Sequence, residues 1–298
     1  MPTLSIRHLT TYRYRRAVSF GEHRMMFRPR ESYDQQVLES RLVIAPEPVE
    51  LKHIQDVFGN CVSVARFSGK AKALRFESHV RLIHEPPEVV ADPHDRIDGG
   101  FLTYSDDDLP DLESSIQRRF PDPDGRVAAW ARRFLRSGGP TELLSMLADM
   151  TGAIHGEFKY GRRLEAGVQS PLQTLELGTG TCRDFAVLMI EAARSLGLAA
   201  RFVSGYIFTP NRGPRRLGSG HTHAWVRAYL PSCGWVEFDP TNGIVGGADL
   251  IRVAVARDPN QAVPLHGSWN GSRSDYIDMS VEVDVQVEDE RDGVRRVA

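Results

Sequence analysis

His223-Ala224-Trp225-Val226-Arg227-Ala228-Tyr229-Leu230, then Pro231-Ser232-Cys233-Gly234, then Trp235-Val236-Glu237-Phe238-Asp239-Pro240-Thr241: two alternating runs flank a turn. Alternation is the period of a strand, so this stretch predicts a β-hairpin. Upstream the period is different. From Cys182, the residues Phe185, Leu188, Met189, Ala192 and Leu196 form an apolar stripe at helical spacing, and Gly197 stands where a helix C′ residue belongs. Strand character returns at residues 199–208. Helices followed by antiparallel strands make the fold class α+β.

Working outward, residues 1–85 read as a small β-sandwich. Every second residue from Leu4 to Tyr14 can share a face, and Leu38–Ile44, Cys61–Phe67 and Leu74–Leu82 repeat the pattern between turn signals such as Asp56-Val57-Phe58-Gly59-Asn60. Residues 86–122, with Pro86-Pro87, Asp92-Pro93, Gly99-Gly100 and the acidic run Asp106–Asp108, read as a linker packed on both halves. Residues 123–298 read as the core. Val127, Trp130, Ala131 and Phe134 mark one helix, and Leu143, Leu147, Met150 and Ile154 another. Val281, Val283, Val285 and Val287 alternate with polar residues in a half-exposed strand, and the charged end from Glu288 is expected to fray.

Composition removes several functional classes. The 298 residues carry 37 Lys+Arg against 39 Asp+Glu, a net charge of −2 that gives no electrostatic basis for binding nucleic acid. No run approaches the roughly 20 apolar residues that span a bilayer, and the start has no basic and then apolar leader, so no membrane insertion and a cytoplasmic location are expected. Cys61, Cys182 and Cys233, without a CxxC, make neither a disulfide framework nor a structural zinc site. No calcium-loop pattern completes the acidic run. No cofactor is therefore expected.

The chemistry concentrates at Gly178-Thr179-Gly180-Thr181-Cys182-Arg183-Asp184. Thr181 and Asp184 have the spacing of a capping box, which puts Cys182 in the first turn of a helix, where the dipole and free N–H groups favour a thiolate. The neighbouring glycines would let a substrate backbone come close. A small buried residue at a helix start is the bland alternative. A thiolate nucleophile needs a base and a group that orients it, and the hairpin supplies His223 and Asp239. Those two share a face only if the hairpin loop has an odd number of residues, or a bulge. With Asp239 opposite Trp225 they become diagonal neighbours within side-chain reach. A two- or four-residue loop would separate them. His221 competes as base and Asp184 as orienting acid, the latter explained more simply by capping. Cys61 and Cys233 read as bystanders, and His8 and His23 as surface or satisfied core histidines. Arg212, Arg215 and Arg216 lie in a basic loop that would attract an acidic substrate.

These residues carry a resemblance. Gly180-Thr181-Cys182-Arg183-Asp184-Phe185-Ala186, residues 200–206, His223-Ala224-Trp225 and residues 234–241 resemble the bacterial transglutaminase-like superfamily. Residues 6–14, Arg28-Pro29-Arg30 and residues 56–60 are similar to the β domain that precedes the core in many bacterial members. Residues 253–259 are similar too, with Ala256 and Pro259 departing from the family's pattern. The resemblance implies a papain-like core in which Cys182, His223 and Asp239 are nucleophile, base and orienting acid, with Tyr160 and Trp225 lining the site. It implies acyl transfer from a peptide, protein or small amide substrate through a Cys thioester. Hydrolysis, as a cysteine peptidase or amidase, is the expected outcome. The alternatives are amine transfer to protein glutamine (crosslinking or deamidation) and a non-catalytic peptide-binding module. Arylamine acetyltransferases share the Cys, His, Asp order but differ around the cysteine.

Overall fold

A computed structural model of the protein describes residues 3–98, 101–161, 163, 167–209 and 216–288. The chain begins with β1 (Thr3–Met25), β2 (Gln35–Ala45), β3 (Glu50–Gln55), β4 (Cys61–Arg66) and β5 (Ala71–His84). Leu4, Ile6, His8 and Thr10 are buried while their neighbours are not, as the period of two requires. β1 is long enough to serve two layers. Its first half pairs with β5, and β2 pairs with β5 beyond it. After a register shift between Arg13 and Val18, its second half pairs with β4, and β3 follows. Tyr14, Phe20, Met25, Phe27, Leu74 and Phe76 fill the interior of this curled antiparallel unit.

The core follows with α1 (Leu109–Ile116), α2 (Arg126–Arg132), α3 (Leu143–Glu157), α4 (Pro171–Leu177) and α5 (Cys182–Ser195). Five strands come next: β6 (Ala200–Ile207), β7 (His223–Leu230), β8 (Gly234–Asp239), β9 (Ile244–Val245) and β10 (Leu250–Ala256). They form one antiparallel sheet in the order β9-β8-β7-β6-β10. The even-numbered residues of β7 (Ala224, Val226, Ala228) and Phe238 of β8 face the helices. The apolar stripe on α5 understates its position, because every residue from Asp184 to Arg194 is buried. Its two inner charges are satisfied. Glu191 accepts from the N–H groups of Arg119 and Phe120, and Arg194 donates to the carbonyls of Ser115, Ala200 and Arg257.

Two boundaries differ from expectation. The segment 86–122, expected as a linker packed on both halves, contains α1 and contributes Leu102, Tyr104 and Leu112 to the core itself. Its Tyr104 hydroxyl donates to Tyr229 O and accepts from Ala199 N–H, both at 2.9 Å. The expected core of 123–298 does not hold together as one unit either. β11 (Leu265–Asn270) and β12 (Tyr276–Val287) pair with β1, so the end of the chain completes the N-terminal sheet. Alternation reports that a segment is a strand but not which sheet it joins.

The two units share an interior. Leu4, Ile6, Val80 and Leu82 pack on Tyr206, Ile251 and Val253. β10 is an edge of the five-stranded sheet, and an open edge presents unpaired peptide groups. Side-chain amides of the N-terminal unit cover it. Asn60 donates to Val255 O at 2.9 Å and accepts from Val255 N–H at 2.8 Å. Gln35 does the same for Arg252, at 2.9 and 3.1 Å. The Arg252 guanidinium itself pairs with Asp34 at 2.6 Å and Glu237 at 3.1 Å. Among the described residues no helix is long and apolar enough to cross a membrane.

Candidate active site

Cys182 is the first residue of α5, and it is buried with a small exposed fraction. The helix start is held by Asp184, whose carboxylate accepts from Thr181 N–H and Thr181 Oγ1, each at 2.8 Å. The same carboxylate accepts from Gln169 N–H at 2.6 Å and pairs with Arg163 at 3.2 Å. Asp184 therefore clamps the loop before α4 to the turn that carries the cysteine, a larger duty than capping. Gly180 is required by close approach rather than by substrate. A Cβ there would meet Asp184 Cβ at 2.9 Å and the Phe185 ring at 3.1 Å.

The hairpin has the register the site needs. Arg227 lies opposite Glu237 and Leu230 opposite Gly234, which leaves the three-residue loop Pro231-Ser232-Cys233. Continued one step beyond Val226 and Phe238, that register sets Trp225 opposite Asp239. His223 and Asp239 thus fall on one face as diagonal neighbours. His223 Nε2 and Asp239 Oδ2 are 2.8 Å apart, with both side chains fully buried.

Asp239 accepts two further hydrogen bonds, from Asn242 Nδ2 at 2.7 Å and Thr241 N–H at 2.9 Å. Burial opposes its charge, yet His223 and these donors hold the carboxyl below the ordinary range. Burial also opposes an imidazolium at His223. Asp239, and then Cys182, outweigh it and raise the His223 pKa from 6.5 to about 10. Cys182 therefore lies close enough to act on the charge of the ring. With Nε2 taken by Asp239, Nδ1 is the nitrogen left for the thiol, and it is buried with no hydrogen-bond partner among the described residues. At neutral pH the arrangement is an imidazolium beside a sulphur at the start of a helix.

Asn242 is the residue that sequence reasoning missed. Besides Asp239, its amide bonds Leu217 N–H at 2.8 Å and Leu217 O at 3.1 Å, tying the turn before β7 to the carboxylate. The only sequence signal was its place three residues after Asp239. Gly218, in that turn, has φ +86°, and a Cβ on it would stand 2.6 Å from His223 Nδ1. Only glycine lets the backbone lie so close to the ring.

The other candidates sort by placement. Trp225, expected to line the site, is completely buried. It stacks behind His223 at 6.0 Å and donates from Nε1 to Glu237 at 2.9 Å, so it supports the ring and presents no surface to substrate. Tyr160 is half-buried, pairs with Gly180 across a short parallel bridge, and meets Phe185 edge-on at 6.4 Å. His221 is exposed and its Nδ1 reaches Val281 O at 3.1 Å, away from Asp239. Cys61 is half-buried in β4 and Cys233 exposed in the hairpin loop. His8 and His23 are buried and hydrogen-bonded. Arg216 is paired with Asp249 at 2.5 Å, which removes it as an open anion receptor, while Arg212 and Arg215 lie outside the described residues.

Comparison with known proteins agrees with this architecture. Residues 4–82 match the model described as the bacterial transglutaminase-like N-terminal region, and residues 128–240 match that of the transglutaminase-like superfamily. An uncharacterized protein of Mycobacterium tuberculosis is 30% identical over 295 residues, covering 93% of this chain and 91% of the relative. One from Mycobacterium leprae is 31% identical over 160 residues, covering 53% and 55%. Among solved structures, one described as a putative cysteine protease from Cytophaga hutchinsonii superposes with a TM-score of 0.68 at 20% identity, covering 97% of this chain and 92% of the other.

Proposed function

The chain belongs to the transglutaminase-like superfamily, and from that membership we propose that it is a thiol enzyme that hydrolyses a peptide or amide through a thioester on Cys182. The observation that carries the reading is the fully buried bond from His223 to Asp239 through Nε2, which reserves Nδ1 for the cysteine. The imidazolium stabilises the thiolate. The sulphur attacks the carbonyl carbon, the carbon–sulphur bond forms, and the carbonyl π pair moves to oxygen. N–H groups at the start of α5 lie at the positive end of its dipole and favour that oxyanion. The oxyanion collapses, the carbon–nitrogen bond breaks, and the Nδ1 proton passes to the leaving amine. Neutral His223 then takes a proton from water. Hydroxide attacks the thioester, and the carboxylic acid leaves as the sulphur regains its charge. Asp239 keeps its own proton-free state throughout and holds the ring in one tautomer.

Water is favoured as acceptor because the Cytophaga hutchinsonii neighbour is described as a putative cysteine protease. The first test is mass labelling by iodoacetamide across pH, on the wild type and on His223→Ala. Fast labelling of Cys182 below pH 7 that slows in the variant supports the pair. A profile like that of a free thiol, indifferent to His223, removes it. Turnover of amides with and without added primary amines then separates hydrolysis from amine transfer.

A further inference from the structure

The indole of Trp225, stacked behind His223, is itself held from outside the site. Gly205 lies opposite His223 in the β6–β7 ladder and opposite Arg252 in the β6–β10 ladder. A Cβ on Gly205 would stand 2.6 Å from Trp225 Cη2, so the indole lies across this row of the sheet and only a glycine leaves it room. Laid this way, it meets the His223 ring at a centroid distance of 6.0 Å and an interplanar angle of 27°. Its Nε1 donates to Glu237 Oε2 at 2.9 Å. Packing confines the indole to its plane, and the bond at Nε1 fixes its rotation within that plane.

The support continues into the N-terminal unit. Glu237 Oε1 accepts from Arg252 Nη1 at 3.1 Å and stands 3.0 Å from Arg227 Nε. Arg252 grips Asp34 with both ends of its fork, Nη2 to Oδ1 at 2.6 Å and Nη1 to Oδ2 at 2.9 Å. A bidentate carboxylate fixes the plane of a guanidinium as well as its position. Nη2 also donates to Ser32 Oγ at 2.7 Å, and Gln35 binds both peptide groups of Arg252. Ser32, Asp34 and Gln35 all belong to the N-terminal unit. Asp34, Arg252 and Glu237 are 6%, 3% and 4% exposed, so water does little to loosen these bonds.

We infer that Asp34, Arg252 and Glu237 are positioning residues for the proposed base. Through them the N-terminal unit sets the angle of the Trp225 indole, and the indole sets the His223 ring towards Cys182. The inference rests on the thiol-enzyme reading for its place in a reaction, although the orientation of the ring can be measured without catalysis. It gives the N-terminal unit a part in the chemistry of a centre to which it contributes none of the three reacting side chains.

The test uses the full-length protein and two readouts across pH: the rate of Cys182 alkylation by iodoacetamide, and the nuclear magnetic resonance signal of the Nε2 proton that His223 shares with Asp239. Glu237→Gln keeps the volume of the side chain, and Asp34→Asn does the same at the far end. Each is expected to slow alkylation at pH 6.5 by about 3–30-fold and to move the Nε2 proton signal. Trp225→Phe keeps an aromatic ring behind His223 without the donor, and is expected to have an effect of the same size. In the Trp225→Phe background neither Glu237→Gln nor Asp34→Asn should slow alkylation by more than about a further 2-fold, because the link through which they act is gone. Leu74→Val, in the interior of the N-terminal unit, lowers stability without touching the link and should leave both readouts at wild-type values. Readouts that ignore Glu237→Gln and Asp34→Asn overturn the inference. So do effects that multiply in the double variants, or a Leu74→Val protein that reproduces them. If alkylation of the wild type is indifferent to His223→Ala, the thiol-enzyme reading falls, and the Nε2 proton signal alone decides the positioning.

Discussion

Asp239→Asn keeps the size of the side chain and removes its charge. The raised pKa of His223, from 6.5 to about 10, corresponds to on the order of 5 kcal/mol of preference for the imidazolium in the folded protein. The folded value lies above the unfolded one. The stability this contributes is therefore present in full below pH about 6.5 and is lost as pH rises towards 10. With the carboxylate gone, burial becomes the leading influence on the ring and pulls its pKa below the ordinary value. The slope then changes sign: the neutral ring is favoured, and stability falls on acidification instead. An asparagine also has only one side-chain oxygen, so either the Thr241 N–H on Oδ1 or both the His223 and Asn242 donors on Oδ2 are left facing an NH2 group. That costs about 1–3 kcal/mol at all pH values. The assay is urea denaturation at pH 6.5, 8 and 9.5, with iodoacetamide labelling of Cys182 over the same range. The wild type should lose on the order of 3–5 kcal/mol more stability than the variant between the first and last pH. Labelling of the variant should rise with pH as for an ordinary thiol, and amide turnover should fall about 10³–10⁴-fold. Parallel stability profiles in the two proteins would refute the coupling of His223 to Asp239.

Three further outcomes follow from contacts around the same centre. Asn242→Ala removes a donor to Asp239 and the tether to Leu217, so turnover should fall about 10–100-fold with a stability loss of about 1–2 kcal/mol by urea denaturation. Gly218→Ala introduces a Cβ against the His223 ring at a positive φ. The ring must turn, and alkylation of Cys182 at pH 6.5 should slow at least 10-fold while the far-ultraviolet spectrum is retained. Arg252→Ala leaves the buried carboxylate of Asp34 without its cation, while Glu237 keeps Arg227 at 3.0 Å, and should cost about 3–5 kcal/mol in a denaturant titration.

Much of the site was legible because its determinants are local. The helix start at Thr181, the alternation in β7 and β8, and the need for an odd loop all follow from spacing along a short stretch. The three-residue turn at Pro231–Cys233 meets that need. A strand has two faces, so parity alone says whether His223 and Asp239 can meet. It cannot say what else stands on that face. Trp225 shares the parity of His223, and only the packing of β6 and β10 around it turns an expected substrate wall into a buried support. Asn242 belongs to a turn whose partner, Leu217, lies across the hairpin, and nothing in its own neighbourhood marks it. The same holds for the ends of the chain. The strand character of Val281–Val287 was written in its alternation, but its partner was settled by which edge of β1 remained open. Hydrogen bonding between strands carries no residue code, so the sheet to which a strand belongs is decided by the folded surroundings. That choice also set Leu265, Met279 and Val281 along one side of a cavity whose lining includes Arg183 and Thr222. By itself the sequence determined which residues can meet at the proposed centre and the faces that present them. The tertiary structure decided what surrounds the centre, because those walls come from segments that meet only when the chain is folded.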